Sequence, residues 1–268
     1  MLLWTLQRGD APLLLNVPHA GRYVPDAIAM RLTPQARNLA DTDWHVEKLA
    51  AVAPSMGITL LVATHSRYVV DLNRDPSGQA LYAGADNTEL CPLATFAREP
   101  IYLEGESPSP TETQARKAVY FDTYHAQMRD EIDRVRAMHG HAIVLDLHSI
   151  RSEVPRFFSG RLPDLNLGTS AGQSCAPEVR ELATGLLHSA ADFSHVVDGR
   201  FKGGYITRNY GKPAQRIHAL QLETAQSAYM DENPPFRWDA ARASRFAALL
   251  ERLLVALMEW RPSSGARA

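Results

Sequence analysis

The residues best placed to do chemistry stand at the ends of apolar runs. Ile143 to Leu147 is a short run with β-branched residues, interrupted by Asp146 and followed by His148 and Ser149. It reads as a buried strand, and strand ends are where open α/β sheets place their sites. A second run, Leu13 to Val17, delivers His19 into the turn Pro18-His19-Ala20-Gly21. The chain has 10 histidines, and these two stand apart because each directly follows a predicted strand and neighbours a small residue. Two histidines and one carboxylate make an open catalytic zinc site, with the fourth position left to water. A third run, Ile217 to Leu222, ends in Glu223. A carboxylate there is costly to bury unless it is paired or functional. Glu223 is read as the general base beside a metal-activated water; the plainer reading is an acid at the start of a helix from Thr224. Finally, Arg67, Asn73 and Arg74 bracket the apolar-centred run Tyr68 to Leu72. The planar fork of arginine binds carboxylates, so this stretch points to a small substrate carrying carboxylates or to a developing oxyanion.

Five stretches together resemble one family. They are Pro18-His19-Ala20-Gly21, Asp41-Thr42-Asp43-Trp44-His45, the run Ser66 to Arg74, Asp146-Leu147-His148-Ser149, and Gln221-Leu222-Glu223. They look like N-formylglutamate amidohydrolases (deformylases), from about His19 to Met230, and Gly203 to Arg208 fits as well. More distantly the arrangement is similar to zinc carboxypeptidases and aspartoacylases. That resemblance implies a metal-dependent hydrolysis of N-formyl-L-glutamate to formate and L-glutamate, closing a route of histidine degradation. It implies one Zn2+ per chain, with Co, Mn or Fe(II) as alternatives for such donors. His19 and His148 match the two histidine ligands. The carboxylate ligand does not match by spacing, because the third residue after His19 is Arg22; Asp43 is preferred, with Asp41 and Glu47 as rivals. By position Arg67 polarises the scissile carbonyl, Asn73 and Arg74 hold a substrate carboxylate, Arg208 meets a second carboxylate, and Glu223 is the base. Two other readings are a zinc amidohydrolase for another N-acyl amino diacid, and a non-catalytic binding protein for acidic metabolites; a peptidase is a third.

These residues need a scaffold. Helical patterns are predicted over Thr33–Met56, Gln114–His139, Pro177–Ser189 and Ala240–Trp260, and further strands over Ile58–Ala63, Tyr68–Leu72 and Val196–Phe201. The alternation implies a three-layer α/β/α domain around a central mixed sheet, the fold that the resemblance implies as well, spanning residues 1–268 as a single domain. Glu104–Thr113 and Ser152–Ala176 are read as loops, Ala83–Glu112 and Ser152–Ala176 as loops able to cover a site, and Arg261–Ala268 as a frayed tail.

Composition narrows the class. Hydrophobic residues at 45% and charged residues at 22% are those of a globular enzyme. A net charge of −2 gives no support to binding of nucleic acid or anionic membrane. Cys91 and Cys175 form no CxxC pair and suggest neither a disulfide framework nor a cysteine metal site, so a reducing, cytoplasmic setting is expected. No apolar run is long enough to span a bilayer, and the first residues do not read as a signal peptide. Oligomeric state is left open.

Overall fold

Short runs rich in leucine and valine pair into one sheet. The computed structural model describes residues 1–80 and 86–262. Its strands are β1 (Trp4–Gln7), β2 (Leu13–Val17), β3 (Thr59–Ala63), β4 (Ala142–Ile150), β5 (Leu165–Gly168), β6 (His195–Val197) and β7 (Ile217–Ala225). The seven-stranded order is β1-β3-β2-β4-β7-β5-β6. Neighbours β3, β2, β4 and β7 run parallel, β1 is antiparallel to β3, and β5 is antiparallel to β7, so the sheet is mixed. Strands β2, β4 and β7 are buried along their whole length, as strands covered on both faces must be.

The helices are α1 (Asp26–Ala29), α2 (Val46–Leu49), α3 (Pro110–Arg116), α4 (Asp122–His139), α5 (Pro177–Ser189), α6 (Tyr205–Tyr210) and α7 (Ala240–Glu259). Alternate side chains of each central strand enter different cores. Leu13, Leu15, Leu145 and Leu222 pack with α2, α5 and α7. Leu14, Val144 and Ala219 pack with α4 and α6. The α7 stripe of Phe246, Leu249, Leu250, Leu253, Leu254 and Leu257 is buried; each such side chain contributes about 1.5–3 kcal/mol. These two cores on opposite faces make the three layers.

Several expected elements come out differently, among them the strand over Val196–Phe201, which is confined to β6 at His195–Val197. The helix over Thr33–Met56 is broken into a 3-10 turn (Ala36–Asn38), α2 and a second 3-10 stretch (Ala50–Met56). Left-handed backbone at Leu39 and His45 interrupts it. Tyr68–Leu72 is a chain of turns instead of a strand, because its apolar side chains serve two separate cores, Tyr68 and Val69 in one and Val70 and Leu72 in another. Ser66 and Asp71 side chains hold its backbone instead, accepting from the N–H groups of Tyr68 and Asn73. Thr224 continues β7 and starts no helix. The long helix expected over Gln114–His139 forms with a π-turn at Lys117–Phe121 between α3 and α4. Strands β1 and β5 were not expected; β5 lies inside a stretch read as loop. Residues 83–85 of one expected loop and 263–268 of the expected tail lie outside the described residues.

Candidate active site

Strand register sets the site. Across β2, β4 and β7, Asn16 pairs with Asp146 and Asp146 with Gln221; two residues on, His148 pairs with Glu223. The two-residue period of a strand puts Asp146 with His148, and Gln221 with Glu223, on one face. That is the α4 face, at the carboxyl ends of the parallel strands. His19 follows β2 by two residues and enters the same place. Asp43 arrives because the chain turns between Leu39 and His45: its backbone N–H donates to the His19 carbonyl at 3.1 Å. A continuous helix would have carried it past.

Two carboxylates fix the histidines. His19 Nε2 lies 2.8 Å from Asp71 Oδ1, and His148 Nε2 lies 2.8 Å from Asp146 Oδ2. A carboxylate only accepts, so each Nε2 carries the proton and each Nδ1 presents a lone pair. The two Nδ1 atoms are 3.2 Å apart, and Asp43 Oδ2 is 3.2 Å from that of His148 and 3.9 Å from that of His19. With these tautomers the three converging acceptors can be satisfied by a proton on one Nδ1 or by a metal ion between them. Nitrogen and oxygen ligands about 2.0–2.2 Å from a tetrahedral zinc stand roughly 3.3 Å apart, so the donor set fits a zinc-type ion held by His19, Asp43 and His148. Asp71 and Asp146 are the outer carboxylates that orient such ligands. Behind Asp146 the chain of contacts continues: Asn16 Nδ2 donates to its Oδ1 at 2.7 Å, and Tyr124 on α4 donates to Asn16 Oδ1 at 2.7 Å.

The field of the site shows what a metal would have to displace: a proton on His148 Nδ1, facing Asp43 Oδ2 at 3.2 Å. Burial pulls the His148 imidazole down, but Asp146 and Asp43 outweigh it and hold it well above the usual histidine range. Burial, helped by Arg67, lowers His19. Burial would raise Asp71 and Asp43; His19 and Arg74 hold the first well below the carboxylate range, and Arg67 lowers the second. Glu223 is pushed up to about 8, burial outweighing the pull of His148. A dication between the ligands would draw Glu223 back towards its ionised form.

His19, His148 and Glu223 line a cleft of about 620 Å³, its open mouth included, together with Arg67, Asn73, Arg74, Gln221 and an aromatic wall. Arg67 is buried; its Nη2 donates to Asp43 Oδ1 at 2.7 Å, and its Nε–H has no hydrogen-bond partner. Arg74 donates to Thr88 at 2.7 Å. Asn73 reaches the cleft, yet its amide is engaged: Oδ1 accepts from Ile206 N–H at 2.8 Å, and Nδ2 lies 3.4 Å from both Asp146 Oδ2 and Gln221 Oε1. It ties the turn before α6 to the sheet, and a side chain on Gly204 would strike it at 2.3 Å. Arg208 is exposed and lines a separate hollow with Asp75 and Asn209. Asp41 accepts from Tyr68 and Phe96, and Glu47 faces Arg22 at 3.9 Å, so neither rival of Asp43 joins the histidines. Sequence reasoning gave no role to Asp71, and it quoted Asp146 without one. The two-residue spacing of Asp146 and His148 was the available signal.

The sequence profile of the N-formylglutamate amidohydrolase family matches residues 11–230. The chain belongs to that family. It is 45% identical over 256 residues to the N-formylglutamate deformylase of Pseudomonas putida, covering 96% of each chain, and 44% identical over 256 residues to that of Pseudomonas aeruginosa, again 96% of each. Among solved structures it is similar to an N-formylglutamate amidohydrolase from Ralstonia eutropha, with a TM-score of 0.80 and 24% identity over 96% of this chain and 98% of that one. A gene product of Agrobacterium tumefaciens follows at a TM-score of 0.69 and 16% identity, covering 96% and 93%. The two structures share the fold. Every stretch quoted for the resemblance, from Pro18 to Glu223, falls within the span the family profile matches.

Proposed function

We propose that the chain hydrolyses N-formyl-L-glutamate to formate and L-glutamate, the closing step of a histidine degradation route, with zinc at its site. The observation that carries the reading is the trio of acceptor atoms on His19, Asp43 and His148, opposite Glu223 in a cleft that also holds Arg67 and Arg74. A metal held by these three residues would supply Lewis acidity and a water of lowered pKa. Glu223 accepts the proton of the attacking water and returns it to the departing amine. Arg67, which lines the cleft, stabilises the oxyanion that develops on the formyl oxygen. Arg74 holds the α-carboxylate beside the scissile amide, so that binding energy goes into orientation. Asn73 supports this from behind, fixing the turn before α6. Free, well-separated Cys91 and Cys175 support a cytoplasmic setting, and among the described residues no helix is long and apolar enough to cross a membrane.

Comparing kcat/KM for N-formyl-, N-acetyl- and N-carbamoyl-L-glutamate tests the substrate. The formyl compound should be fastest. If it is the slowest of the three, the enzyme is an amidohydrolase for another N-acyl diacid.

A further inference from the structure

A substrate with two carboxylates is best held by two cations, and the cleft offers more than one arginine. Among the described residues three arginines line it, Arg67, Arg74 and Arg200. Arg67 is committed to Asp43 and Asp71, at 2.7 and 3.5 Å. Arg74 lies 3.7 Å from Asp71, the carboxylate that orients His19, and so stands beside the reacting centre. Arg200 comes from another part of the fold, the segment between β6 and α6. Its Nε donates to the Phe157 carbonyl at 2.6 Å, and its guanidinium lies 6.0 Å from the Phe157 ring and 5.7 Å from the Phe201 ring. Phe96, Phe157, Phe201 and Ile150 make the wall on which it sits. A guanidinium oriented by a carbonyl and two rings keeps its plane, and an apolar wall strengthens its pairing with an anion.

We propose that Arg200 receives the side-chain carboxylate of the substrate and makes the enzyme select an acidic over a neutral amino acid. This rests on the reading of the site as a formylglutamate hydrolase, and it moves the second carboxylate contact from Arg208, which lies outside the cleft, to Arg200.

The test uses the zinc-loaded protein and two matched pairs. Turnover is measured on N-formyl-L-glutamate and N-formyl-L-glutamine, and calorimetric binding on L-glutamate and L-glutamine. Arg200→Gln should lose about 10- to 100-fold in kcat/KM and in affinity for the acidic member, and less than about threefold for the neutral one. Arg200→Lys, which keeps the charge and loses the fork, should fall between. Equal losses on both members would mean that Arg200 only props the Phe157 wall, and the assignment would fall. So would a selective loss in Arg208→Gln with none in Arg200→Gln. If the parent released no formate from either compound yet bound glutamate through Arg200, the hydrolase reading would fail and the carboxylate site would stand.

Discussion

In the proposed site His19 and His148 would serve as ligands because Asp71 and Asp146, each 2.8 Å from an Nε2, favour the proton there. With the proton on Nε2 in both rings, the Nδ1 lone pairs converge with Asp43 into a donor set that a metal ion could occupy in place of a proton. Glu223 has a different task, and two substitutions should separate the roles. Glu223→Gln should keep its metal and lose about 10²–10⁴-fold in kcat. Asp146→Asn should bind metal about 10- to 100-fold more weakly, with activity recovering as zinc is raised. Metal content and kcat measured on the same samples check this; Glu223→Gln protein that came out metal-free would make Glu223 a ligand instead of a base. The pairing of His19 and His148 was legible because each follows an apolar run. Asp71 was not, since nothing in its spacing from His19 shows that a turn brings the two together. Arg200 escaped for a similar reason: a lone arginine in a loop carries no pattern, and only the cleft gives it meaning.

At the scale of elements, strands that run through the core were legible and locally held segments were not. Leu13–Val17 and Ile217–Leu222 show their burial as continuous apolar runs. Tyr68–Leu72 looks the same, yet its side chains feed two cores and its backbone is held by Ser66 and Asp71, which a periodicity argument cannot see. Thr33–Met56 has a helical stripe, and left-handed residues at Leu39 and His45 break it so that Asp43 reaches the histidines. Helix α4 supports the Tyr68–Leu72 segment from behind: buried His125 lies 2.9 Å from the Leu72 carbonyl and 2.8 Å from the Tyr210 hydroxyl. Burial lowers its pKa from 6.5 to about 4. The unfolded chain therefore takes up this proton first. The contribution of His125 is whole above pH 6.5 and is lost as pH falls towards 4, about 3 kcal/mol in all. Urea midpoints at pH 7 and pH 5 should fall more for the parent than for His125→Gln, whose amide reaches the same carbonyl without titrating. Equal falls would show that His125 does not carry the acid sensitivity.

At the scale of the molecule, a mixed seven-stranded sheet between two helical layers brings five distant stretches of chain to one edge of the parallel strands. The fold class was legible from the alternation of helical and strand patterns, whereas the strand order and the antiparallel β5 depend on long-range pairing that four residues, Leu165 to Gly168, do not announce. Parallel register then sets His148 opposite Glu223, and the family likeness over residues 11–230 accords with a site spread across that whole span. In the proposed reaction deformylation depends on a metal held by His19, Asp43 and His148. The most direct measurement is formate release from N-formyl-L-glutamate before and after chelation, with metal content determined on the same sample. Activity should follow one zinc per chain, vanish with the chelator and return when zinc is restored. Metal-free protein that released formate at the original rate would contradict the account.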